Sequence, residues 1–360
     1  MTDETRGRAL KPCYVYGAQA IAYGIARALE KQGEQVAGFV VTDMEGNPSS
    51  LGGKQVIPVD KLGEARIYVA VPEYLHPEII EILKGRGLRG YICVDAELEY
   101  RLMKSLFQAE RRLKFPEDFE RPVGEEAACP QADFAVYVAK SLHDKPLQSQ
   151  VSFPAGSVTV QAGTALGEFM ETDFHDNEGE NISDKNGCYD ELTVTYWAWK
   201  NSRAAVKGIA HYRRCLMVTE AEKEALLHGG LDVLLPMPFL CWPDTSMQYG
   251  RYNTSKAVEA MLEALSMLYG SKERERAVKV LRGEIIYNYN MLIARQEAFD
   301  AYCSWMFPVL EQVEKICAPE IKAVQHSRIC GHLGELLLTI YMLTHGHNLK
   351  IAHGKKKWFP

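Results

Sequence analysis

Short apolar segments that alternate with helical segments along residues 11–100 constrain this chain more than any other feature. Cys13–Tyr16, Gln35–Val41, Gln55–Val59, Ile67–Val71 and Tyr91–Val94 read as strands. Between them, Ala20–Leu29 places Ile21, Ile25 and Leu29 on one helical face, and His76–Lys84 reads as a second helix. Parallel neighbours need a long crossover that covers the sheet, so this alternation predicts an α/β fold opening with a Rossmann-like parallel sheet over residues 1–105.

Between Leu106 and Gln131 the composition shifts: charges of both signs and three prolines interrupt any apolar periodicity. This predicts a charged linker over 106–131, begun by a helix, and a second domain over 132–360. A chain of 360 residues suits two cores. Asp133–Ala139 reads as the buried strand that opens the second domain. Lys140, His143 and Lys145 follow it, either at the ligand-facing end of a sheet or in a solvated loop. Residues 151–180 read as irregular.

The first turn, Gly17-Ala-Gln-Ala-Ile-Ala22, is a degraded dinucleotide fingerprint. Gly17 fits the tight turn and Ala22 the close-packing position, but Gln19 stands where a glycine lets the backbone approach a pyrophosphate. Asp43 lies where a ribose-binding acid is expected, so Gly17 and Asp43 are the cofactor-binding candidates. The alternative is a Rossmann-like module that holds no dinucleotide.

The stretch Asn181–Cys215 concentrates chemistry. Asn181, Asp184, Lys185 and Asn186 form a polar loop, either a ligand loop or a helix cap and turn. Tyr189, Leu192, Tyr196 and Trp199 make an apolar stripe read as core, which leaves Trp197 off the stripe and able to face a ligand. The next strand, Val206–Ala210, delivers His211, Tyr212, Arg213 and Arg214. Alternation sends His211 and Arg213 to one face, Tyr212 and Arg214 to the other. Adjacent guanidiniums at a strand's carboxyl end suit a diphosphate, because Arg offers a fixed fork of donors and stays charged. A surface pair balanced by nearby acids is the plainer alternative.

Further on, Thr219 and Glu222 form a T-x-x-E capping box before a helix ended by Gly229. The loop CWPDTSMQYGRYN offers Trp242 and Tyr249 as an acceptor-sugar surface. Ile285–Ala294 reads as a strand with Asn288 and Asn290 on one face, where paired amides suit sugar hydroxyls. Pro308 predicts a kink or break in the helix around Phe299–Lys315. Glu335 is the sole acid on the apolar helix HLGELLLTIYML. A lone carboxylate there is costly unless paired with Arg328 or Arg295, or engaged as a general base. His332 is the second candidate for that task.

The motifs NISDKNGCYDELTVTYWAWKN, GIAHYRRCL, LDVLLPMPF, YNYNMLIARQEAFDAYCSWMFPVLEQ and GHLGELLLTIYML, in that order over roughly residues 133–350, resemble a bacterial family. It is the family of capsular and exopolysaccharide biosynthesis glycosyltransferases. The resemblance implies a nucleotide-sugar-transferase-like (GT-A-like) α/β domain, a nucleotide-sugar donor, a glycan or lipid-linked acceptor and a cytoplasmic setting. Common sugar transferases of that fold hold a divalent metal on an Asp-x-Asp pair. No such pair occurs anywhere in this sequence, so Arg213 and Arg214 are expected to stand in for the metal, with His211, Asp184 or Asp176 as the alternative metal ligands. Two other functions remain open. One is a nicotinamide-dependent enzyme acting on sugar nucleotides through the first domain. The other is a non-catalytic nucleotide- or glycan-binding protein.

A net charge of −6 without a large basic field disfavours generic nucleic-acid binding. Nine scattered cysteines without a CxxC pair read as reduced thiols. MTDETRGRALK lacks the apolar core of a signal peptide. The tail HGKKKWFP joins lysines to aromatics and is either a peripheral membrane contact or a solvated terminus.

Overall fold

The computed structural model describes residues 12–120, 134–147, 151–250, 254–323 and 327–359, which fall into two compact units, Met1–Glu110 and Arg111–Pro360. In the first, β1 (Cys13–Tyr16), α1 (Ala20–Lys31), β2 (Val36–Val41), β3 (Ser50–Leu51), β4 (Lys54–Pro58), β5 (Arg66–Val69), α2 (His76–Gly85), β6 (Tyr91–Cys93) and α3 (Ala96–Glu110) follow in order. The sheet runs β3-β4-β2-β1-β5-β6, parallel except for the β3–β4 hairpin. The central strands β1 and β2 are largely buried, whereas β6, at the edge, is half-exposed with Ile92 open to solvent.

Gly17 adopts φ +116°, and a Cβ there would sit 2.9 Å from the Ala70 carbonyl oxygen. The tight turn therefore accounts for this glycine. Asp43 is exposed and accepts the Glu45 N–H at 2.9 Å, a local turn bond.

The expected linker begins inside α3, which continues to Glu110. Residues 111–119 are docked in the second unit: the Lys114 carbonyl accepts from His353 Nδ1 at 2.8 Å, and Phe115 is buried edge-on to His353. Residues 121–131 of that linker lie outside the described residues.

The second unit contains β7 (Phe134–Lys140), β8 (Ser157–Gln161), β9 (Phe174–His175), α4 (Asn186–Tyr189), α5 (Leu192–Asn201), β10 (Val206–His211), β11 (Arg214–Leu216), α6 (Glu220–Leu227), β12 (Val233–Pro236), β13 (Phe239–Leu240) and α7 (Ser246–Tyr249). It continues with α8 (Ser255–Tyr269), α9 (Ser271–Leu281), β14 (Ile285–Ile286), β15 (Ile293–Arg295), α10 (Gln296–Ile316), α11 (Ala318–Ala323), α12 (Ile329–Thr344), β16 (Ile351–Gly354) and β17 (Lys356–Trp358). The main path is β16-β12-β15-β10-β7-β8-β9. β10, β7, β8 and β9 are parallel, β15 is antiparallel to its neighbours, and β11 and β17 form a side branch from β10. Phe134, Val136, Val138, Val206, Ala210, Leu234, Ile293, Ala352 and Phe359 fill the core. The capping box on α6 forms as expected, with Thr219 N donating to Glu222 Oε2 at 2.7 Å and Glu222 N to Thr219 Oγ1 at 3.2 Å.

Several expectations need correction. Residues 151–180 contain β8, paired between β7 and β9, and the two-residue edge strand β9, both of mixed polarity. Trp197 is buried, edge-on to Tyr137 at 5.6 Å, whereas Tyr196 and Trp199 are half-buried against Phe307. The stripe points to α10, and the off-stripe Trp faces the sheet. α10 runs through Pro308 without a break. Ile285–Ala294 is two short strands flanking a turn at Tyr289-Asn290, both with positive φ. The tail is not a free basic arm: Lys356 and Phe359 are buried, and β17 pairs with β11.

Because Phe359 is 3% exposed in the main core, Phe359→Ala should destabilise the second unit by about 3–5 kcal/mol, read as a lower urea midpoint. A solvated tail would leave the midpoint unchanged.

Candidate functional site

The chain after β10 turns back on itself at once. His211 and Arg214 are paired across a tight antiparallel hairpin, with Tyr212 and Arg213 at its tip. The expected alternation fails because the strand ends at His211, and the hairpin brings His211 and Arg214 to the same neighbourhood. Arg213, at the tip, stays close enough to His211 and Arg214 to oppose their charged forms. Its guanidinium lies 5.6 Å from the Tyr212 ring and 5.8 Å from the Trp358 ring.

The Arg214 guanidinium lies in the corner of two perpendicular rings, 4.0 Å from the Trp358 ring centre and 4.3 Å from that of Tyr289, the two rings being 5.4 Å apart at 88°. Trp358 is delivered by the β11–β17 pairing, which sets it opposite Arg214. Contact with both rings holds the guanidinium in place while its charge is kept. Among the described residues Nε has no hydrogen-bond partner, and burial lowers the pKa of Arg214 from its ordinary value.

The Tyr289 peptide is gripped at both ends. Its N–H donates to Glu335 Oε1 at 2.7 Å, and its carbonyl oxygen is 2.6 Å from His211 Nε2. Burial pushes the His211 pKa down to about 3, helped by Arg214, so the ring is neutral and Nε2–H donates to that carbonyl. Tyr289 has φ +77° and Asn290 φ +49°, two left-handed residues with side chains in succession. Backbone of that kind persists only where its surroundings fix it.

Asn290 Nδ2 donates to Glu191 Oε1 at 2.7 Å and to the Gly331 carbonyl at 2.9 Å. Close approach to α12 depends on its glycines. A Cβ at Gly334 would lie 2.8 Å from Asn290 Oδ1, and one at Gly331 would lie 2.9 Å from Asp190 Oδ2. Asn288 and Asn290 are both buried, and each keeps an Oδ1 without a partner among the described residues.

Three carboxylates gather here. Burial, reinforced by the Glu191 charge, raises Glu335 to about 7, while the Tyr289 N–H, Arg214 and Arg328 pull the other way. Burial also raises Glu191, whose Oε1 is 3.7 Å from His211 Nε2, and Asp190, which Glu191 repels and Arg328 attracts. Arg328 Nε holds Asp190 Oδ2 at 2.5 Å. Neither expected partner of Glu335 is therefore its ion-pair partner. Arg328 is taken by Asp190, and Arg295 lies by Asp232 and Glu297. His332, one turn before Glu335 on α12, is half-buried close enough to Asp190 to favour its charged form.

The remaining predicted residues separate from this cluster. Lys185 pairs with Glu314 at 2.8 Å. Asn181 folds onto the Asn177 and Gly179 carbonyls, Asn186 onto the Asp190 carbonyl, and Asp184 is exposed, so the polar loop is largely a cap and turn. Asp176 is buried and accepts from Gly163 N, Thr164 N and Ser183 Oγ. It is spent on loop structure, as His211 Nε2 is spent on Tyr289. Lys140 ends β7, and both Lys140 and Arg213 act on Asp144, which burial raises to about 6. His143 is exposed in that loop, and the Tyr212 hydroxyl accepts Lys145 N at 3.3 Å. Trp242 is exposed after β13, and Tyr249 is half-buried on α7. Glu191, Asp190, Tyr289 and Trp358 were missed as site residues. Asp190 and Glu191 stand directly before an apolar helix in the sequence, where acids also suit the positive end of the helix dipole.

A family model described as a domain of unknown function, DUF4422, matches residues 143–346 of the 360. The chain belongs to the DUF4422 family. The matched span of this DUF4422 protein holds the whole cluster except Trp358. The apo structure of WbbM, a bifunctional glycosyltransferase, is similar at 24% identity and a TM-score of 0.49, covering 63% of this chain and 45% of that one. No curated protein matches significantly. Among the described residues no group of three or more His, Cys, Asp or Glu is placed to hold a metal, and no helix is long and apolar enough to cross a membrane.

Glu335 gives a sign that can be checked. Its native pKa of about 7 lies above the ordinary 4.5, so the native state holds its proton more tightly. The stability this contributes is full below 4.5 and fades as pH rises through 7. Glu335→Gln keeps an acceptor for the Tyr289 N–H without ionising. It should gain on the wild type by a margin on the order of 3 kcal/mol between acid and neutral pH, in urea unfolding across that range. A pH-independent difference would show that Glu335 titrates normally.

Proposed function

We propose that this protein is a glycosyltransferase that moves a sugar from a nucleotide-sugar donor to a glycan or lipid-linked acceptor of a bacterial surface polysaccharide. The observation that carries this reading is the pairing of Arg214, held in the corner of the Tyr289 and Trp358 rings, with a carboxyl at about 7 within its field. The motif resemblance of the sequence points the same way.

In this reading Glu335 takes the proton of the acceptor hydroxyl as its oxygen attacks the anomeric carbon. A base with a pKa near the working pH serves that transfer best. The bond from the anomeric carbon to the diphosphate breaks, and its electron pair leaves on the phosphate oxygen. Arg214, held by its two rings, meets that charge, and Arg213 adds a second cation beside the same Trp358 ring. Preorganised donors are worth most where water is scarce, which suits a largely buried guanidinium. Asn288 and Asn290 supply unpartnered amide oxygens for sugar hydroxyls. His211, neutral and donating its Nε2–H to the Tyr289 carbonyl, positions that residue and carries no charge.

A thermal-shift panel of UDP-, GDP-, CMP- and dTDP-sugars, run with Mn²⁺ and again with EDTA, tests the reading. One nucleotide family should raise the melting temperature and retain the effect in EDTA. Arg214→Ala should weaken that ligand by about 10- to 100-fold, the loss of one charge-assisted bond. Sugar transfer to any acceptor should vanish in Glu335→Gln while donor binding persists. A shift with NADH alone, and none with any sugar nucleotide, would overturn the proposal and move the function to the first unit.

A further inference from the structure

The second unit presents a corner that the site does not use. α8 ends at Tyr269, and Gly270, at φ +89°, turns the chain directly into α9. The three residues before the turn, Met267, Leu268 and Tyr269, are all exposed, Met267 at 65%. Tyr269 is held in place by its hydroxyl on the Trp305 carbonyl at 2.8 Å and by stacking on Trp305.

α9 is two-sided. Glu273, Ala277 and Leu281 are buried at i, i+4 and i+8. Lys272, Arg276 and Lys279, at i, i+4 and i+7, lie on the outer side, and Arg282 follows at the end. Arg274 pairs with Glu259 at 2.6 Å and Arg276 with Glu273 at 3.3 Å. Among the described residues Lys272, Lys279 and Arg282 have no ion-pair partner. Glu275 is the one exposed acid of the helix. The whole chain is net negative at −6, so this stripe is a local departure from the overall charge.

We propose that the α8–α9 corner is a membrane-contact surface for anionic phospholipid bilayers. Met267, Leu268 and Tyr269 enter the interface, and Lys272, Arg276, Lys279 and Arg282 face the headgroups. Apolar and aromatic groups beside a basic helical face are what interfacial binding requires, since burial of carbon and attraction to anionic lipid act together. A second copy of this chain would set like charges against each other, which disfavours self-association through the same face. The surface belongs to the folded helices, in place of the tail whose Lys356 and Phe359 are buried.

The test is co-sedimentation of the full chain with vesicles of phosphatidylcholine alone or mixed with phosphatidylglycerol. Binding should appear only with the anionic mixture and weaken with salt. Each cation at such a surface contributes roughly fivefold in partitioning, so Lys272→Gln/Lys279→Gln should lose about 25-fold. Met267→Ser should weaken binding without changing its salt dependence, and Lys357→Gln, in the tail, should leave it unchanged. All three variants are exposed positions, and matched melting temperatures would show that they fold. No binding at low salt, equal binding to neutral vesicles, or loss only in the tail variant would overturn the proposal. So would a change of oligomeric state in the corner variants without vesicles. Since the readout is lipid binding by the intact chain, it stands apart from the outcome of any transfer assay.

Discussion

Everything in the candidate site hangs on how the Tyr289 peptide is held. Glu335 accepts a hydrogen bond from its N–H and neutral His211 donates one to its carbonyl, which locks Tyr289 and Asn290 in left-handed backbone. With those residues fixed, the Tyr289 ring meets Arg214 and the Asn290 amide meets Glu191. Four elements that are distant in sequence, α5, β10, the turn before β15 and α12, are thereby tied at one point. The same low-polarity surroundings that strengthen those bonds raise the three carboxyls and neutralise the imidazole.

Glu335 Oε1 orients the Tyr289 N–H, and under the proposed function the same carboxyl would also serve as the base. A carboxyl that titrates near neutrality can cycle its proton without losing the first bond, because either protonation state keeps an acceptor toward the Tyr289 N–H.

The sequence made the elements legible where pattern and burial coincide. The alternating strands of the first unit, the capping box at Thr219 and the buried opening strand of the second unit follow from local rules. Glu335 was singled out because a lone acid on an apolar helix needs a reason. The hairpin at His211–Arg214 was not legible, since strand alternation cannot reveal where a strand stops. Trp358 was read with a basic tail because its lysines suggested solvent, whereas only the pairing of β17 with β11 shows that the segment is interior. The loop at Asn181–Asn186 was read as either ligand loop or cap. Its side chains mostly satisfy their own backbone, the usual behaviour of Asn and Asp near helix starts.

The corner that holds Arg214 has walls from two distant parts of the chain. One ring comes from Tyr289, in the turn before β15, and the other from Trp358, in β17. A chain cut after Thr344 would keep the hairpin, the left-handed turn and all three carboxyls but lose one wall of that corner, so the last strand is part of the cluster and not an appendage to the fold.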